Sequence, residues 1–358
     1  MLHRMNTVPE GLLDCPADQL LTVLPDTTLL CLQGRRKQPL FLSVLLHGNE
    51  PTGLIVAQNI LKKYADTGLP RSIYLFIGNV KAAADRKRRL DGQPDYNRIW
   101  LEDSAGMETE IHQRIRELLH EMARQDLFAS IDIHNNTGIN PHYACINRLD
   151  MPFLNLARRF SRKMIYFVRP SGVQSKAFSH LCPAVTLECG KVGDEFGIQL
   201  ATAFVDEVLN LETIPRTPVD DADIDLFHTL AVIRIPEQVT FSFDDSDADI
   251  RFIKGIETLN FEEIPAGTTL ARIREDVDRA LLVEDEDGND ITGKIFDIKD
   301  GVLVNRNALM PSMLTLDERV IRQDCLCYVM ERYMIGMGEK PADDTRPIWV
   351  PEKINAKS

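Results

Sequence analysis

The sequence predicts an α/β fold in which a mostly parallel, twisted sheet is flanked by helices and followed by a smaller, C-terminal β-rich domain. Between Pro39 and residue 214, apolar runs of strand length alternate with helical patterns, which is typical of a parallel sheet connected by helices. After Pro215 the apolar runs become short and are separated by turn sequences, which is typical of a compact β-domain. We therefore predict one domain over residues 1–214 and a second over residues 215–358.

The strands of the first domain are predicted from runs of apolar residues. The run Leu40–Leu46 is nearly continuous, as expected for a strand that is buried on both faces of a parallel sheet. Three later runs predict further strands of the same sheet: Ile73–Ile77, Phe128–Ile133 and Ala184–Leu187.

The helices of the first domain are predicted from apolar residues that recur at steps of three and four. The clearest example is Met107–Gln125, which is amphipathic. Its apolar stripe consists of Met107, Ile111, Ile115, Leu118, Leu119 and Met122. Pro51 stands where the first turn of another helix tolerates proline. Two later segments, Pro152–Met164 and Ile198–Leu211, predict two more helices.

The second domain is predicted to be built from short strands. The segment Pro215–Asp225 contains two prolines and four aspartates, which indicates a linker or domain boundary. Beyond it, turn sequences at residues 265–267, 286–289 and 300–301 separate short apolar runs. We expect a compact, barrel-like β-domain.

The composition is that of a globular protein with an acidic surface. Hydrophobic residues make up 44% of the 358 residues, and the formal net charge is −13. Because such a surface repels phosphate backbones and anionic lipids, neither nucleic acid nor membrane is expected as a partner. No stretch approaches the roughly 20 apolar residues that a membrane-spanning helix needs, and Met1–Glu10 lacks the apolar core of a signal peptide.

The seven cysteines do not form the pattern of a disulfide framework or a zinc knuckle. Their number is odd, and only Cys325 and Cys327 lie close together. Several of them stand in apolar runs, where a reduced cysteine packs as a small hydrophobic residue. A reducing cytoplasm is therefore the expected location. The sequence is also compatible with a homo-oligomer.

Ionisable residues stand at the ends of three predicted strands. The first strand runs into His47-Gly48-Asn49-Glu50, the third ends before His134, and the fourth ends before Glu188. The carboxyl ends of parallel strands collect side chains at one edge of a sheet. Two imidazoles and one carboxylate leave a coordination position open, as a catalytic zinc requires. By itself the His-x-x-Glu spacing is weak, because a carboxylate is also favoured at the start of a helix.

Four motifs in one order carry a resemblance to a known family. They are His47-Gly48-Asn49-Glu50-Pro51-Thr52-Gly53, Asn97-Arg98, Asp132-Ile133-His134 and Leu187-Glu188-Cys189-Gly190. Together they resemble the succinylglutamate desuccinylase/aspartoacylase family, a branch of the zinc carboxypeptidase clan. The match covers roughly residues 40–200 through spaced motifs, and the β-rich segment that follows also resembles the family layout. The resemblance implies a carboxypeptidase-like fold for the first domain.

The resemblance also implies roles for individual residues. Carried over to this chain, it makes His47, Glu50 and His134 the ligands of one Zn2+ ion. It makes Glu188 the general base, and Asn97 with Arg98 the pair that binds a substrate carboxylate. A guanidinium suits that task because its planar fork can bind a carboxylate through two hydrogen bonds.

An arginine shortly before that pair is implied to polarise the scissile carbonyl. Arg89 is nearest to the family spacing, with one extra residue in the gap, and Arg88 remains a rival. The neighbouring Arg86 and Lys87 are expected to be solvated surface residues.

Several other polar residues keep two interpretations. Asp132 either orients a ligand imidazole or caps a nearby loop. Lys176, His142 and Tyr143 either line the substrate pocket or have structural roles. The two histidines of the amphipathic helix fall off its apolar stripe and are expected to face solvent: His112 and His120.

The expected function is hydrolysis of an amide bond next to a carboxylate, most simply the deacylation of an N-acyl amino acid. An alternative is a metallocarboxypeptidase that acts on peptide C-termini. An alternative of another class is a non-catalytic module that binds zinc or a ligand. The expected partner is accordingly a small anionic acylamino acid or a peptide.

Overall fold

A computed structural model of the chain describes residues 2–101 and 109–335, which form two compact units. The first unit contains the described residues up to Asn135, together with Tyr143–Asp225 and the last two described residues. The second unit contains Asn136–His142 and Leu226–Tyr333.

The first unit is built on a mostly parallel β-sheet. Its strands are β1 (His3–Met5), β2 (Thr28–Leu32), β3 (Gly34–Val44), β4 (Leu69–Ile77), β5 (Ala129–His134), β6 (Tyr143–Ile146), β7 (Lys163–Tyr166) and β8 (Ala184–Glu188). They are ordered β1-β2-β4-β3-β5-β8-β6-β7. Neighbouring strands are parallel except for the pairs β2–β4 and β6–β8. This arrangement confirms the predicted fold class.

The centre of this sheet is buried on both faces. Strand β5 is buried along its whole length, as are β8 and the last six residues of β3. These three strands are adjacent and parallel, with Val44 opposite Ile133 and His134 opposite Glu188. Their carboxyl ends therefore meet at one edge of the sheet.

Helices α1 to α6 belong to the first unit. They are α1 (Thr52–Lys63), α2 (Val80–Ala84), α3 (Glu110–Met122), α4 (Met151–Ala157), α5 (Gln174–Ser179) and α6 (Glu195–Asn210). The predicted amphipathic stripe of α3 is buried from Ile111 to Met122, and Met107 lies outside the described residues. Pro51 immediately precedes α1, where its missing N–H costs no intrahelical hydrogen bond.

The predicted helix Pro152–Met164 is wrong in its second half. Helix α4 ends at Ala157, and Met164 belongs to β7, which pairs with β6. The hydroxyl of Ser161 accepts a hydrogen bond from the N–H of Lys163, which turns the chain between the two elements. Periodicity did not reveal this turn, because apolar residues continue on both sides of it.

The second unit is β-rich. Its elements are β9 (Asp225–Arg234), β10 (Phe241–Ser242), β11 (Ile250–Phe252), β12 (Thr269–Ile273), β13 (Leu282–Asp285), α7 (Thr292–Ile295), β14 (Phe296–Lys299), β15 (Val302–Asn305), β16 (Met310–Ser312), α8 (Glu318–Gln323) and β17 (Cys327–Arg332). One sheet has the order β10-β11-β12-β15-β14. Strand β9 pairs with β13 and β17, and β17 pairs with β16. The hydrophobic core of the second unit contains Ile233, Ile250, Ala271 and Leu303.

Two further observations concern membrane-spanning helices and the cysteines. Within the part of the chain that the structure describes, no helix has both the length and the apolar character needed to cross a membrane. All seven cysteines are free thiols, and all but Cys31 are buried.

Candidate active site

The site forms where β3, β5 and β8 end. Strand β3 leads into the turn that holds His47 and Glu50, β5 ends on His134, and β8 ends on Glu188. These four residues are between 3% and 6% exposed. The structure therefore gathers all four at the carboxyl edge of the sheet.

His47, Glu50 and His134 form a compact cluster. Nδ1 of His47 lies 2.8 Å from Oε1 of Glu50, and Nδ1 of His134 lies 2.7 Å from Oε2 of the same carboxylate. One donor atom from each residue lies within 4.8 Å of the other two. Two imidazole nitrogens and a carboxylate oxygen at this spacing can converge on one metal ion.

The turn that carries His47 and Glu50 requires a glycine. A Cβ on Gly48 would lie 2.2 Å from the backbone nitrogen of Ala83, so no larger residue fits against α2. The N–H of Gly48 donates a hydrogen bond to the carbonyl of Arg88, and the N–H of Glu50 donates to the carbonyl of His47. The spacing of His47 and Glu50 is thus set by the packing of this turn.

Carboxylates hold the other nitrogen of each histidine. Nε2 of His134 lies 2.7 Å from Oδ2 of Asp132, and Nε2 of His47 lies 3.0 Å from Oδ1 of Asp95. The hydroxyl of Ser43 donates to the second oxygen of Asp132. With both Nε2 atoms donating to carboxylates, both Nδ1 atoms face Glu50. This is the arrangement in which outer carboxylates orient imidazoles that bind a metal.

The electrostatics of the cluster favour positive charge at its centre. Burial alone would lower the pKa of His134, but the Asp132 and Glu50 carboxylates raise it well above its ordinary value. Burial would raise the pKa of Glu50, but His47 and His134 hold it far below its ordinary value. Burial is likewise outweighed at Asp95, where Arg88 and His47 keep the pKa low. The Glu50 and Asp95 carboxylates, which both remain ionised beside the histidines, fit a divalent cation.

Glu188 is buried in a different electrostatic environment. Its pKa is raised from 4.5 to about 8, mainly by burial; nearby Glu50 and Asp132 contribute to the rise, and His134 opposes it. Among the described residues, none forms a hydrogen bond with its Oε2 atom. Glu188 lies directly opposite His134 on β5 and opposite Tyr143 on β6. A carboxyl group with this pKa can both accept and donate a proton near neutral pH.

The structure places Arg88, rather than Arg89, against the cluster. Arg88 is 8% exposed, its Nη1 lies 3.8 Å from Oε1 of Glu50, and its Nη2 donates to Asp95 over 2.9 Å. Arg89 instead donates to the carbonyl of Gln93. The predicted catalytic role of Arg89 therefore has less geometric support than the rival role of Arg88. Arg86 is exposed, as expected.

The Asn97–Arg98 pair lies beside the histidines. Asn97 is buried, and its Nδ2 lies 3.2 Å from Nε2 of His134. The N–H of Asn97 donates to Asp95, and the guanidinium of Arg98 donates to the carbonyl of Asn97. The carboxylate of Asp95 therefore holds His47, Arg88 and this pair in one network.

The remaining polar residues fall into different surroundings. Lys176 is buried, and its ammonium donates to the carbonyl of Val168. Tyr143 is fully buried in β6 beside Glu188, and His142 is half-buried. His120 is exposed as expected, but His112 is not simply solvent-facing, because it forms a capping box with Thr109 at the start of α3.

Sequence reasoning missed the role of Asp95. A carboxylate two positions before Asn97 was visible, but its contact with His47 joins residues 48 positions apart. The available signal was the closeness of Asp95 to a motif that already carried the family resemblance. Asn135 was also missed: its N–H donates to Glu50, and its side chain accepts a hydrogen bond from the N–H of Thr52.

Several solved structures have folds similar to that of this chain. Succinylglutamate desuccinylase from Chromobacterium violaceum is 17% identical, with a TM-score of 0.52 over 84% of this chain and 86% of that one. Succinylglutamate desuccinylase/aspartoacylase from Rhodobacter sphaeroides is 18% identical, with a TM-score of 0.53 over 85% and 89%. Murine aminoacylase 3 is 15% identical, with a TM-score of 0.53 over 84% and 97%. At these identities the likeness shows the fold.

The sequence comparison identifies the family. A comparison with curated proteins gives no match. Residues 37–214, about half of the chain, match the succinylglutamate desuccinylase/aspartoacylase catalytic domain. This range contains the His-Glu-His cluster, Asn97, Arg98 and Glu188. The chain belongs to the succinylglutamate desuccinylase/aspartoacylase family.

Proposed function

We propose that the chain is a zinc-dependent hydrolase that removes the acyl group from an N-acyl amino acid by cleaving the amide bond next to its carboxylate. The observation that carries the proposal is the buried cluster of His47, Glu50 and His134 beside Glu188. Membership in a family of deacylases supports the hydrolytic class. The names of the similar structures, which refer to succinylglutamate, aspartate and aminoacylase, support an acylated amino acid as the substrate.

The donor set fits zinc. His47, Glu50 and His134 would hold the ion, and Asp95 with Asp132 would fix the two imidazoles. When bound, zinc would supply Lewis-acid chemistry, which polarises the substrate carbonyl and makes water more acidic.

The chain's own residues supply proton transfer. Glu188, whose pKa is raised to about 8, would accept a proton from the attacking water and pass it to the leaving amine. Its burial excludes bulk water, so the proton stays within the site.

Two positively charged groups and an amide would bind the substrate. We propose that the guanidinium of Arg88 stabilises the negative charge that develops on the scissile carbonyl oxygen, in place of Arg89. Asn97 and Arg98 would bind the free carboxylate, which sets the position of the amide bond to be cleaved.

The test is metal analysis of protein purified without added metal, combined with a screen of N-acyl amino acids and of short peptides. We expect about one zinc per chain and hydrolysis of N-acyl amino acids. Absence of zinc, with no hydrolysis after zinc is restored, would contradict the proposal. Cleavage of peptides alone would favour the carboxypeptidase alternative, and zinc binding without any hydrolysis would favour the non-catalytic one.

A matched pair of variants tests the general base. Glu188→Gln keeps the shape of the side chain and should lower kcat by about 10²- to 10⁴-fold while zinc stays bound. Glu195→Gln makes the same chemical change at an exposed position at the start of α6 and should leave kcat unchanged. Full turnover by Glu188→Gln would show that the base is misassigned.

The free cysteines bear on where in the cell the protein is located. Seven free thiols fit a reducing environment, so we propose a cytoplasmic location.

A further inference from the structure

The segment Gly172–Gln174 packs directly against the proposed carboxylate-binding pair. The carbonyl of Gly172 accepts a hydrogen bond from the N–H of Trp100, just beyond Arg98. A Cβ on Gly172 would lie 2.2 Å from the carbonyl oxygen of Arg98. Only glycine allows so close an approach, and the hydrogen bond from Trp100 holds the two backbone segments in contact.

One hydrogen bond joins this segment to the side chain of Asn97. The backbone N–H of Gln174 donates to Oδ1 of Asn97 over 2.9 Å. Gln174 is the first residue of α5, and the first N–H groups of a helix have no partner within the helix. The backbone N–H of Gln174, which has no partner within α5, therefore bonds to the Asn97 amide.

This bond determines which way the amide faces. A side-chain amide has an oxygen that accepts and a nitrogen that donates, and the two ends are nearly equal in shape. A backbone N–H can only donate, so it requires the oxygen of Asn97 on its side. The NH2 group of Asn97 must then face the other way, where its nitrogen lies 3.2 Å from Nε2 of His134, the imidazole nitrogen that bonds to Asp132.

The side chain of Gln174 anchors the donor. Its Nε2 donates to the hydroxyl of Ser130 in β5 over 2.7 Å, and Gln174 is completely buried. Ser130 lies on the central strand that ends in His134. The first turn of α5 is thereby tied to the same strand that carries a proposed metal ligand.

We propose that Gln174 is a positioning residue whose backbone N–H locks the amide of Asn97 with its NH2 group on the His134 side, so that the site selects a carboxylate over a neutral group. A locked NH2 donor attracts an anion, whereas a freely rotating amide would present its oxygen to the carboxylate part of the time and repel it. This proposal rests on the proposed function, because it takes Asn97 as a contact of the substrate carboxylate.

Two substitutions at Gln174 separate its backbone from its side chain. Gln174→Ala loses the bond to Ser130 but keeps the N–H. Gln174→Pro loses both, and proline is tolerated at the first position of a helix. Val173 has φ −81° and ψ 153°, which is the conformation that a residue before proline prefers. The difference between the two variants therefore reports the N–H alone.

The readout is binding, so it does not depend on catalysis. The probe is 4-oxopentanoate, which has the skeleton of N-acetylglycine with CH2 in place of the amide N–H, and the comparison ligand is 4-oxopentanamide. The ratio of the two dissociation constants, measured by NMR titration, gives the selectivity for the carboxylate. We expect wild type to prefer the anion by about tenfold or more, in line with the strength of charge-assisted hydrogen bonds.

The expected result is a selectivity for Gln174→Pro at least about fivefold below that of Gln174→Ala, since the loss of one such hydrogen bond weakens binding by roughly that factor or more. Equal selectivity in the two variants would overturn the proposal. Glu195→Pro places a proline at the first position of α6, where the residue is exposed, and should leave the selectivity at the wild-type value. Zinc content and circular dichroism confirm that each variant is folded.

Asn97→Asp keeps the proposal testable if Gln174→Pro does not fold. An aspartate still accepts the Gln174 N–H but offers no NH2 group, so the selectivity should fall below the wild-type value. A wild-type selectivity in Asn97→Asp would overturn the proposal. Selective binding by a wild type that hydrolyses no substrate would leave this inference intact while the proposed function fails.

Discussion

In the first unit, ionisable side chains from distant parts of the sequence are buried together, whereas in the second unit the turn residue Asp285 bonds to near neighbours in the sequence. Glu50 contacts His134 across 84 positions. In the second unit, Asp285 accepts hydrogen bonds from the N–H groups of Asp287 and Asn289, at most four positions away. Both arrangements lower carboxyl pKa values. Only the buried one assembles groups from separate strands into a place where a reaction can occur.

Charged side chains have a different role in each unit. Taking carboxylates and imidazoles out of water costs free energy unless they are paired, so the buried cluster persists because each group has a partner. Asp285 is half-buried at the surface, and its bonds shape a turn. The predictions below test this difference, beginning with the largest expected effect.

Glu50→Gln removes the carboxylate that both proposed metal-binding histidines face. We expect the protein to lose its zinc and its kcat/KM to fall by about 10³-fold or more, since a ligand and a charge partner disappear together. Metal analysis and a kinetic assay on the best N-acyl amino acid measure both effects. Retention of stoichiometric zinc by this variant would show that Glu50 is not a ligand.

Arg88→Ala and Arg89→Ala separate the two adjacent arginines. Because Arg88 lies near Glu50, we expect its removal to lower kcat by about 10²- to 10³-fold, the usual cost of losing a group that stabilises a developing oxyanion. The loss for Arg89→Ala should be much smaller, because its guanidinium donates to the carbonyl of Gln93. Arg86→Ala, at an exposed position, is the control. The reverse order of effects would return the catalytic role to Arg89.

Asp132→Asn keeps the shape of the group that holds His134 but removes its charge. We expect the affinity for zinc to fall by about 10- to 100-fold, the usual effect of losing such an orienting carboxylate. Activity should recover when zinc is added in excess. Asp285→Asn makes the same change in the second unit and should alter neither zinc affinity nor kcat. Equal effects of the two substitutions would break the contrast between the units.

The buried carboxyl of Glu188 predicts a pH dependence of stability in the metal-free protein. Its pKa is about 8 in the folded chain against an ordinary 4.5, so between these values the folded state holds a proton that the unfolded state has lost. The contribution of Glu188 to the free energy of unfolding is therefore fully present below about pH 4.5 and is lost as the pH rises to 8. Glu188→Gln cannot titrate, so the variant should gain roughly 2–4 kcal/mol relative to wild type between pH 5 and pH 8.

Urea unfolding in the presence of a chelator, at several pH values, measures this difference. Glu195→Gln, which changes an exposed residue, should follow the wild-type curve. A constant difference between wild type and Glu188→Gln across the pH range would mean that the carboxyl is ionised throughout.

The sequence predicted the strands that carry the site but not the contacts that complete it. His47, Glu50 and His134 could be placed because they follow long apolar runs, which are a strong signal of a buried strand, whereas Glu188 follows a short run and was placed mainly by its family motif. The short strands β6 and β7 were not predicted, since four residues are too few for a periodic pattern. The fold class and the family could therefore be predicted from local patterns and motif order.

The choice between Arg88 and Arg89 could not be made from spacing. Both precede Asn97 at nearly the family distance, and one extra residue in the gap shifts the alignment between them. The path of the chain brings Arg88, and not Arg89, beside Glu50: Gly92 has φ +77°, and the amide oxygen of Gln93 accepts from the N–H of Leu90 to close the loop. The number of residues between two motifs does not reveal such a path, because the path depends on the backbone conformation.

The contact between Gly48 and Arg88 limits how this protein can be re-engineered. The N–H of Gly48 donates to the backbone carbonyl of Arg88, and no side chain fits between Gly48 and α2. The turn that bears the proposed metal ligands and the loop that bears Arg88 therefore depend on each other for their positions, although Gly48 and Arg88 are 40 positions apart in the sequence. A loop transplanted from a relative to change substrate preference would have to bring both pieces. Random recombination that cuts between them should yield mostly inactive chimaeras.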